Sequence, residues 1–185
     1  DNKSLYKLFI ENLGAENLVE SYVCLTTPMN LIYTSLIASK ISKAKIIYCY
    51  RNPLDNIKEI YKKNLGSRYT FSSSIIDSTL LWMETYSLME KYKNRFSSKI
   101  YFLNYDNLII KTEEEIRNLI KWLDWDYDNK YLKPSLDPTT LNLTSEANSN
   151  TIIKDDLYSW KNYKELLNPA IKILNENKKF KAFIQ

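Results

Sequence analysis

The stretch AKIIYCYRNPLDNIKEIY, residues 44–61, decides how the fold is read. Its first seven residues are apolar on both faces of an extended chain, the pattern of a strand buried in a parallel sheet. Asn52-Pro53 then opens a helix, with Pro at the first helical position. Ile57, Ile60, Tyr61 and Leu65 follow at helical spacing and give that helix an apolar face. The chain therefore passes from strand to helix at Arg51.

Outward from this unit the same alternation continues. Residues 21–25 (SYVCL) and 99–104 (KIYFLN) read as two further strands. A helix is expected at 3–13, ending at Gly14. Thr27-Pro28 opens another, reaching about Ser42, with Met29, Ile32, Tyr33, Leu36 and Ile37 as its inward stripe. A polar turn spans 66–70. A long helix then occupies roughly 72–95 and presents Ile75, Thr79, Trp82, Tyr86 and Met89, widened by Ile76, Leu80 and Met83. Thr112 to Glu115 reads as a capping box. Ile116, Leu119, Ile120 and Leu123 mark the short helix behind it. From Tyr127 to about Asp156 the periodicity dissolves into Asn, Ser, Thr and Pro, an irregular stretch of the length that functional or disordered loops have. Tyr163, Leu166, Leu167, Ala170, Ile171 and Leu174 restore a helix, with Asn168 as cap and Pro169 behind it. Three strands alternating with helices predict an α/β fold with a parallel sheet. The 185 residues carry no linker and no internal repeat, so one domain spanning 1–185 is expected.

Composition narrows the chemistry. Apolar residues are 44% and charged residues 26%, enough to bury a core. Lys and Arg exceed Asp and Glu by 26 to 22, too small an excess to call for a nucleic-acid or membrane partner. The chain has no His, which removes a Ser-His-Asp triad and a Cys₂His₂ zinc site. It has two Gly, which removes a Gly-rich phosphate loop from these residues. No apolar run approaches the roughly 18–20 residues of a membrane span, and no signal peptide opens the sequence, so a cytoplasmic location is expected. Cys24 and Cys49 lie in apolar runs and read as buried, reduced thiols. The fifteen Tyr fall mostly on helical stripes, where packing accounts for them better than base stacking.

Ligands of parallel sheets bind beyond the carboxyl ends of the strands. Arg51 stands at such an end beside a helix N-terminus. Its fork suits a phosphate, and free helix N–H groups would add donors; pairing with a nearby carboxylate is the alternative. Asp55, at the third helical position, can help the cap. Tyr105 follows the 99–104 strand, where it can stack on a ligand or simply pack. Lys161 follows the long loop, within reach of an anion or of solvent alone.

Together these segments resemble the sulfotransferase family. Residues 45–61 resemble its 3′-phosphate-binding strand, Arg-Asp/Asn-Pro turn and helix. YFLNYDNL (101–108) and EEEIRNLIKWLDWDYD (113–128) resemble its Tyr-Glu-x-Leu strand end and the helix that follows. SWKNYKELLNPAI (159–171) resembles the Trp-Lys-x-Tyr segment of bacterial sulfotransferases joined to tetratricopeptide repeats, and TTPMNLIYTSLIASKISKAKII (26–47) the stretch before the Arg strand. The resemblance implies a P-loop-like, three-layer parallel sheet with helices on both faces. It implies sulfuryl transfer from 3′-phosphoadenosine 5′-phosphosulfate (PAPS) to a hydroxyl or amine acceptor, and tetratricopeptide repeats elsewhere in the parent chain. Arg51 would grip the 3′-phosphate. Tyr105, Thr144, Ser145 and Lys161 would line the cofactor, while Asp55 and Trp160 would be structural.

This sequence also departs from the family. The Gly-rich loop for the 5′-phosphosulfate, with its strand and the nearby His or Glu base, is not among these residues, so a domain lacking its amino-terminal part is expected, inactive by itself. Glu59 stands where a Ser would share the 3′-phosphate. Asn148 to Thr151 replace a stretch with a basic residue, and a Lys is lost near Thr26. A non-catalytic binding or scaffold module is the alternative.

Overall fold

The computed structural model describes residues 24–26, 28–63, 65–132 and 157–184. A 3₁₀ turn, Pro28–Tyr33, leads into α1 (Thr34–Lys40). Strand β1 (Ile46–Tyr50) is followed by α2 (Pro53–Lys63) and a second 3₁₀ turn, Ser67–Ser73. The long helix α3 (Ile75–Arg95) leads to β2 (Ile100–Asn104). Two helices, α4 (Tyr105–Ile110) and α5 (Thr112–Leu123), come next, then short 3₁₀ turns at Asn129–Leu132 and Ser159–Tyr163. Helix α6 (Asn168–Glu176) and a last 3₁₀ turn, Lys181–Ile184, close the chain. The architecture is α/β, with β1 and β2 paired in a small parallel sheet.

The described chain divides into two compact units. One holds the residues up to Ile47 together with Glu90–Tyr101. There Lys99 donates from Nζ to the carbonyls of Ala38 (2.7 Å) and Ile41 (2.8 Å), satisfying acceptors that the end of α1 leaves open. The other unit holds Tyr48–Met89 and everything from Phe102 onward. Its core joins Leu54 and Ile57 of α2, Trp82 and Tyr86 of α3, Trp160, then Leu167, Ala170 and Leu174 at α6, and Phe180. Tyr86 is ringed by Tyr50, Trp82, Phe102, Phe180 and Phe183, mostly edge to face, the arrangement that ring quadrupoles favour.

Several expectations are corrected. Two strands pair among the described residues, not three. Cys24 and Leu25 lie outside regular structure and are exposed; residues 21–23, the helix at 3–13 and Gly14 lie outside the described residues. β1 is not apolar-buried on both faces. Ile46, Tyr48 and Tyr50 are partly covered while Ile47 and Cys49 are exposed, the period-two alternation of a strand packed on one side. Both cysteines are exposed free thiols, not buried ones. The stripe through Ile32, Tyr33 and Leu36 is exposed, and Thr34 and Ala38 are buried instead. The cause is the 3₁₀ start: three residues per turn instead of 3.6 rotates the pattern, so a stripe extrapolated as one α-helix slips around the axis. On α3 the core stripe lies where the spacing put it, at Thr79, Trp82, Tyr86 and Met89, but Ile76 and Leu80 are exposed. Thr112 is the first residue of α5 and makes no capping bond to its N-terminal N–H groups, so no capping box forms. Asn168 likewise lies inside α6, behind an N-cap at Leu167.

Trp82 and Ile32 should therefore behave oppositely. Trp82→Ala removes a ring from the core and should lower stability by about 3–5 kcal/mol. Ile32→Ser should change it by no more than about 0.5 kcal/mol. Urea unfolding of the two variants checks this, and a large loss at Ile32 would contradict the burial of α1.

Candidate functional site

Both strands end in the same way. After β1, Asn52 caps α2: its Oδ1 accepts from the N–H of Leu54 (2.9 Å) and of Asp55 (3.4 Å). After β2, Asn104 caps α4, accepting from Asp106 N–H (2.9 Å) and Asn107 N–H (3.2 Å). Asparagine suits this position because its short side chain reaches the orphan N–H groups of the first turn. Arg51 and Tyr105 thus stand at the ends of neighbouring parallel strands, and the structure brings them together. The guanidinium carbon lies 5.4 Å from the Tyr105 ring centroid. The two ends are also tied directly, Asn52 N–H donating to Asp106 Oδ2 at 2.5 Å. Asn52 Nδ2 donates to the carbonyl of Phe183 at 2.8 Å.

This wiring changes the chemistry expected at Arg51. The first-turn N–H groups of α2 are not open to an anion. Pro53 has none, Leu54 and Asp55 give theirs to the Asn52 side chain, and Asn52 gives its own to Asp106. Arg51 itself lies near two carboxylates, with Nη2 4.0 Å from Asp55 Oδ2 and Nε 3.8 Å from Asp106 Oδ1. These are ion-pair distances, longer than hydrogen bonds. With both acids ionised the cluster carries a net negative charge. At an effective permittivity near 20, two unit charges about 4 Å apart interact by about 4 kcal/mol, so the two acids decide what Arg51 can hold.

The two carboxylates are not alike. Asp55 is fully buried, and its side chain does not cap α2. Its Oδ1 accepts from Trp160 N–H (2.9 Å) and Ser159 Oγ (3.1 Å), and its Oδ2 from Tyr158 N–H (2.9 Å). It pins the 158–160 turn to α2. Asp106 is also buried, but only Oδ2 accepts a hydrogen bond; Oδ1 accepts none. Burial pushes the Asp106 carboxyl above the usual range, outweighing the Asn52 N–H and Arg51, which lower it, while Asp55 adds to the rise.

Lys161 goes elsewhere, its ammonium 5.2 Å from the Tyr158 ring on an exposed turn. Thr144, Ser145 and the 148–151 stretch lie outside the described residues. Glu59 is engaged by the neighbouring Lys58, Nζ to Oε1 at 3.0 Å, which offsets the charge expected to repel a phosphate. Lys58 is buried and its Nζ also donates to Ser159 Oγ. Sequence reasoning did not single out Asn52, Asp106, Lys58 or Ser159 as members of this network. The signal for the first two was present: an Asn one or two residues past an apolar run, twice, with an Asp two or three positions on. Among the described residues no group of three or more His, Cys, Asp or Glu could hold a metal ion, and no helix is long and apolar enough to cross a membrane.

A strand-Arg-Asn-Pro-helix unit beside a strand-Asn-Tyr-Asp-helix unit is the arrangement to which comparison gives a family. The chain belongs to the sulfotransferase family, whose model matches residues 1–129. Arg51 and Tyr105 fall inside that match; Thr144, Ser145, Trp160 and Lys161 fall beyond it. The chain is also similar to an uncharacterized protein of Aquifex aeolicus (strain VF5), 27% identical over 157 residues. That alignment covers 80% of this chain but 20% of the Aquifex protein, so the chain spans about a fifth of the length of that curated relative. No solved structure matches.

Asp55→Ala should test the staple. It strands the buried N–H of Trp160 and the hydroxyl of Ser159, and should cost about 2–4 kcal/mol. Limited proteolysis should then cut near 157–161 before the rest of the chain. Unchanged cleavage there would show that the turn is held by other contacts.

Proposed function

We propose that this chain is the 3′-phosphate-binding part of a PAPS-dependent sulfotransferase, acting on a hydroxyl or amine acceptor. One observation carries this reading: within the family match, Arg51 stands at the carboxyl end of β1 with its guanidinium beside Tyr105 at the end of β2. The donor set fits the nucleotide in kind. A guanidinium fork matches a phosphate monoester, and a phenol ring next to it can meet the adenosine. Asp55 is spent on the 158–160 turn, and Asn52 holds the strand ends in register, so Arg51 has little freedom beyond its own rotamers.

PAPS supplies the sulfuryl group, and the protein's part in such a transfer is positioning and charge stabilisation. Arg51 would anchor the nucleotide by the phosphate that does not react. The 5′-phosphosulfate needs a Gly-rich loop on a further strand of a P-loop-like sheet, and the acceptor needs a base. These 185 residues supply no such loop, so sulfuryl transfer by this chain alone is not expected. Tetratricopeptide repeats in a longer chain are the partner the C-terminal resemblance suggests, and the length of the Aquifex relative leaves room for them.

A second reading is favoured by the two carboxylates at Arg51. A cation already flanked by Asp55 and Asp106, beside a helix whose first donors are taken, suits a structural pair in a scaffold module that no longer binds nucleotide.

Calorimetric titration with 3′-phosphoadenosine 5′-phosphate separates the two. The first reading expects micromolar binding, at least tenfold weaker in Arg51→Ala, from the loss of charge-assisted bonds each worth about 1.5–3 kcal/mol, and poor competition by adenosine 5′-phosphate. No binding by a chain with intact circular dichroism would favour the scaffold.

A further inference from the structure

Arg51 faces two acids, and their hydrogen bonding differs. Asp55 accepts three hydrogen bonds on its two oxygens, all of them from the 158–160 turn. On Asp106 the Asn52 N–H occupies Oδ2 alone, and Oδ1, the oxygen nearest Arg51, accepts no hydrogen bond. A buried acceptor left this way is uncommon and calls for an explanation.

Among the described residues, an anion approaching Arg51 meets its positive charge flanked by the two carboxylates, which repel it. The repulsion is lessened by the addition of one proton. With Oδ1 protonated, Asp106 becomes neutral, one of the two negative charges beside Arg51 is gone, and the new O–H is a donor at the oxygen facing the guanidinium. The Asn52 N–H bond to Oδ2 survives this change, so the strand ends stay tied.

We propose that Asp106 governs anion binding at Arg51 by taking up a proton from solvent, so that the site binds an anion and a proton together. This rests on the reading of Arg51 as the phosphate anchor and adds a specificity rule to it: the site discriminates by pH through a residue that need not touch the nucleotide. The titratable and charged groups around Asp106 are consistent with such a role. Cys49, Tyr50 and Arg51 lie on or beyond β1 and Asp55 on α2, and of these only Arg51 favours the ionised carboxylate. Burial pushes the Asp106 carboxyl above the usual carboxylate range, the direction that favours the proton.

The test uses the whole 185-residue chain and two probes, sulfate and 3′-phosphoadenosine 5′-phosphate, titrated by calorimetry between about pH 5 and about pH 8. Sulfate keeps its charge over this range, so any slope belongs to the protein. Buffers of different ionisation enthalpy report the protons taken up. In the wild type, affinity for sulfate should fall as pH rises, by up to about tenfold per pH unit, with up to one proton absorbed per anion bound. Asp106→Asn, which keeps an oxygen for the Asn52 N–H, should bind with no slope and tighter than wild type at the alkaline end. Binding by Asp106→Asn at an alkaline pH where the wild type is silent would support the proposal directly. Wild-type binding that is flat with pH, or a slope unchanged in Asp106→Asn, would overturn it while leaving Arg51 as the anchor. Absence of binding to both probes in both proteins at every pH would remove the anchor itself, and the proton coupling with it. The wild-type proton uptake needs no variant, so it decides the matter even if Asp106→Asn folds poorly.

Discussion

The carboxylate of Asp55 is the constraint on which the unit built from Tyr48–Met89 and the residues from Phe102 onward rests. It sits in the third position of α2, where an acid would ordinarily face solvent and favour the positive end of the helix. Here it is fully buried and accepts from two backbone N–H groups and a hydroxyl of a turn that comes about a hundred residues later. Desolvating a charge at such a depth is costly unless every lone pair has work, and this one is close to saturated. The consequence is positional. The turn delivers Trp160 into the core beside Leu54 and Ile57, and Trp160 in turn closes over Leu167, Ala170 and Leu174.

Asn52 performs the complementary task at the other end of the same helical turn. Its side-chain oxygen caps α2, its backbone N–H reaches Asp106 across the strand ends, and its amide nitrogen reaches Phe183. The Arg51 position is therefore defined by neighbours that are themselves fixed from three directions. This is how a short loop between a strand and a helix acquires rigidity. The same wiring engages the first-turn N–H groups of α2, so they are not open to an anion.

Much of this was legible in the sequence. The two described strands, α2, the long α3 and its core stripe follow from period and from the Asn-Pro signal, because those features are local. The prediction failed where geometry departs from a single period or where burial depends on distant chain. The 3₁₀ start at Pro28–Tyr33 turned the α1 stripe outward. One-sided cover of β1 left Ile47 and Cys49 exposed. The short helix α4 was hidden because six residues carry too little pattern to announce one. At the site, Arg51 and Tyr105 stood out by residue type and place. Asp106 and Asp55 did not, since their importance comes from partners 54 and 103–105 residues away, which no local spacing encodes.

That separation has a bearing on how the chain is made. A ribosome delivers residues in order, so α2 emerges with its acid uncovered long before its partners exist. Only when residues 158–160 have left the exit tunnel can the unit close, and until then Leu54 and Ile57 lack their C-terminal packing. Contacts of such long sequence range slow folding and lengthen the time during which apolar surface is open to association. The partners of that carboxylate and of Asn52 thus come late in synthesis, Phe183 later still than the 158–160 turn.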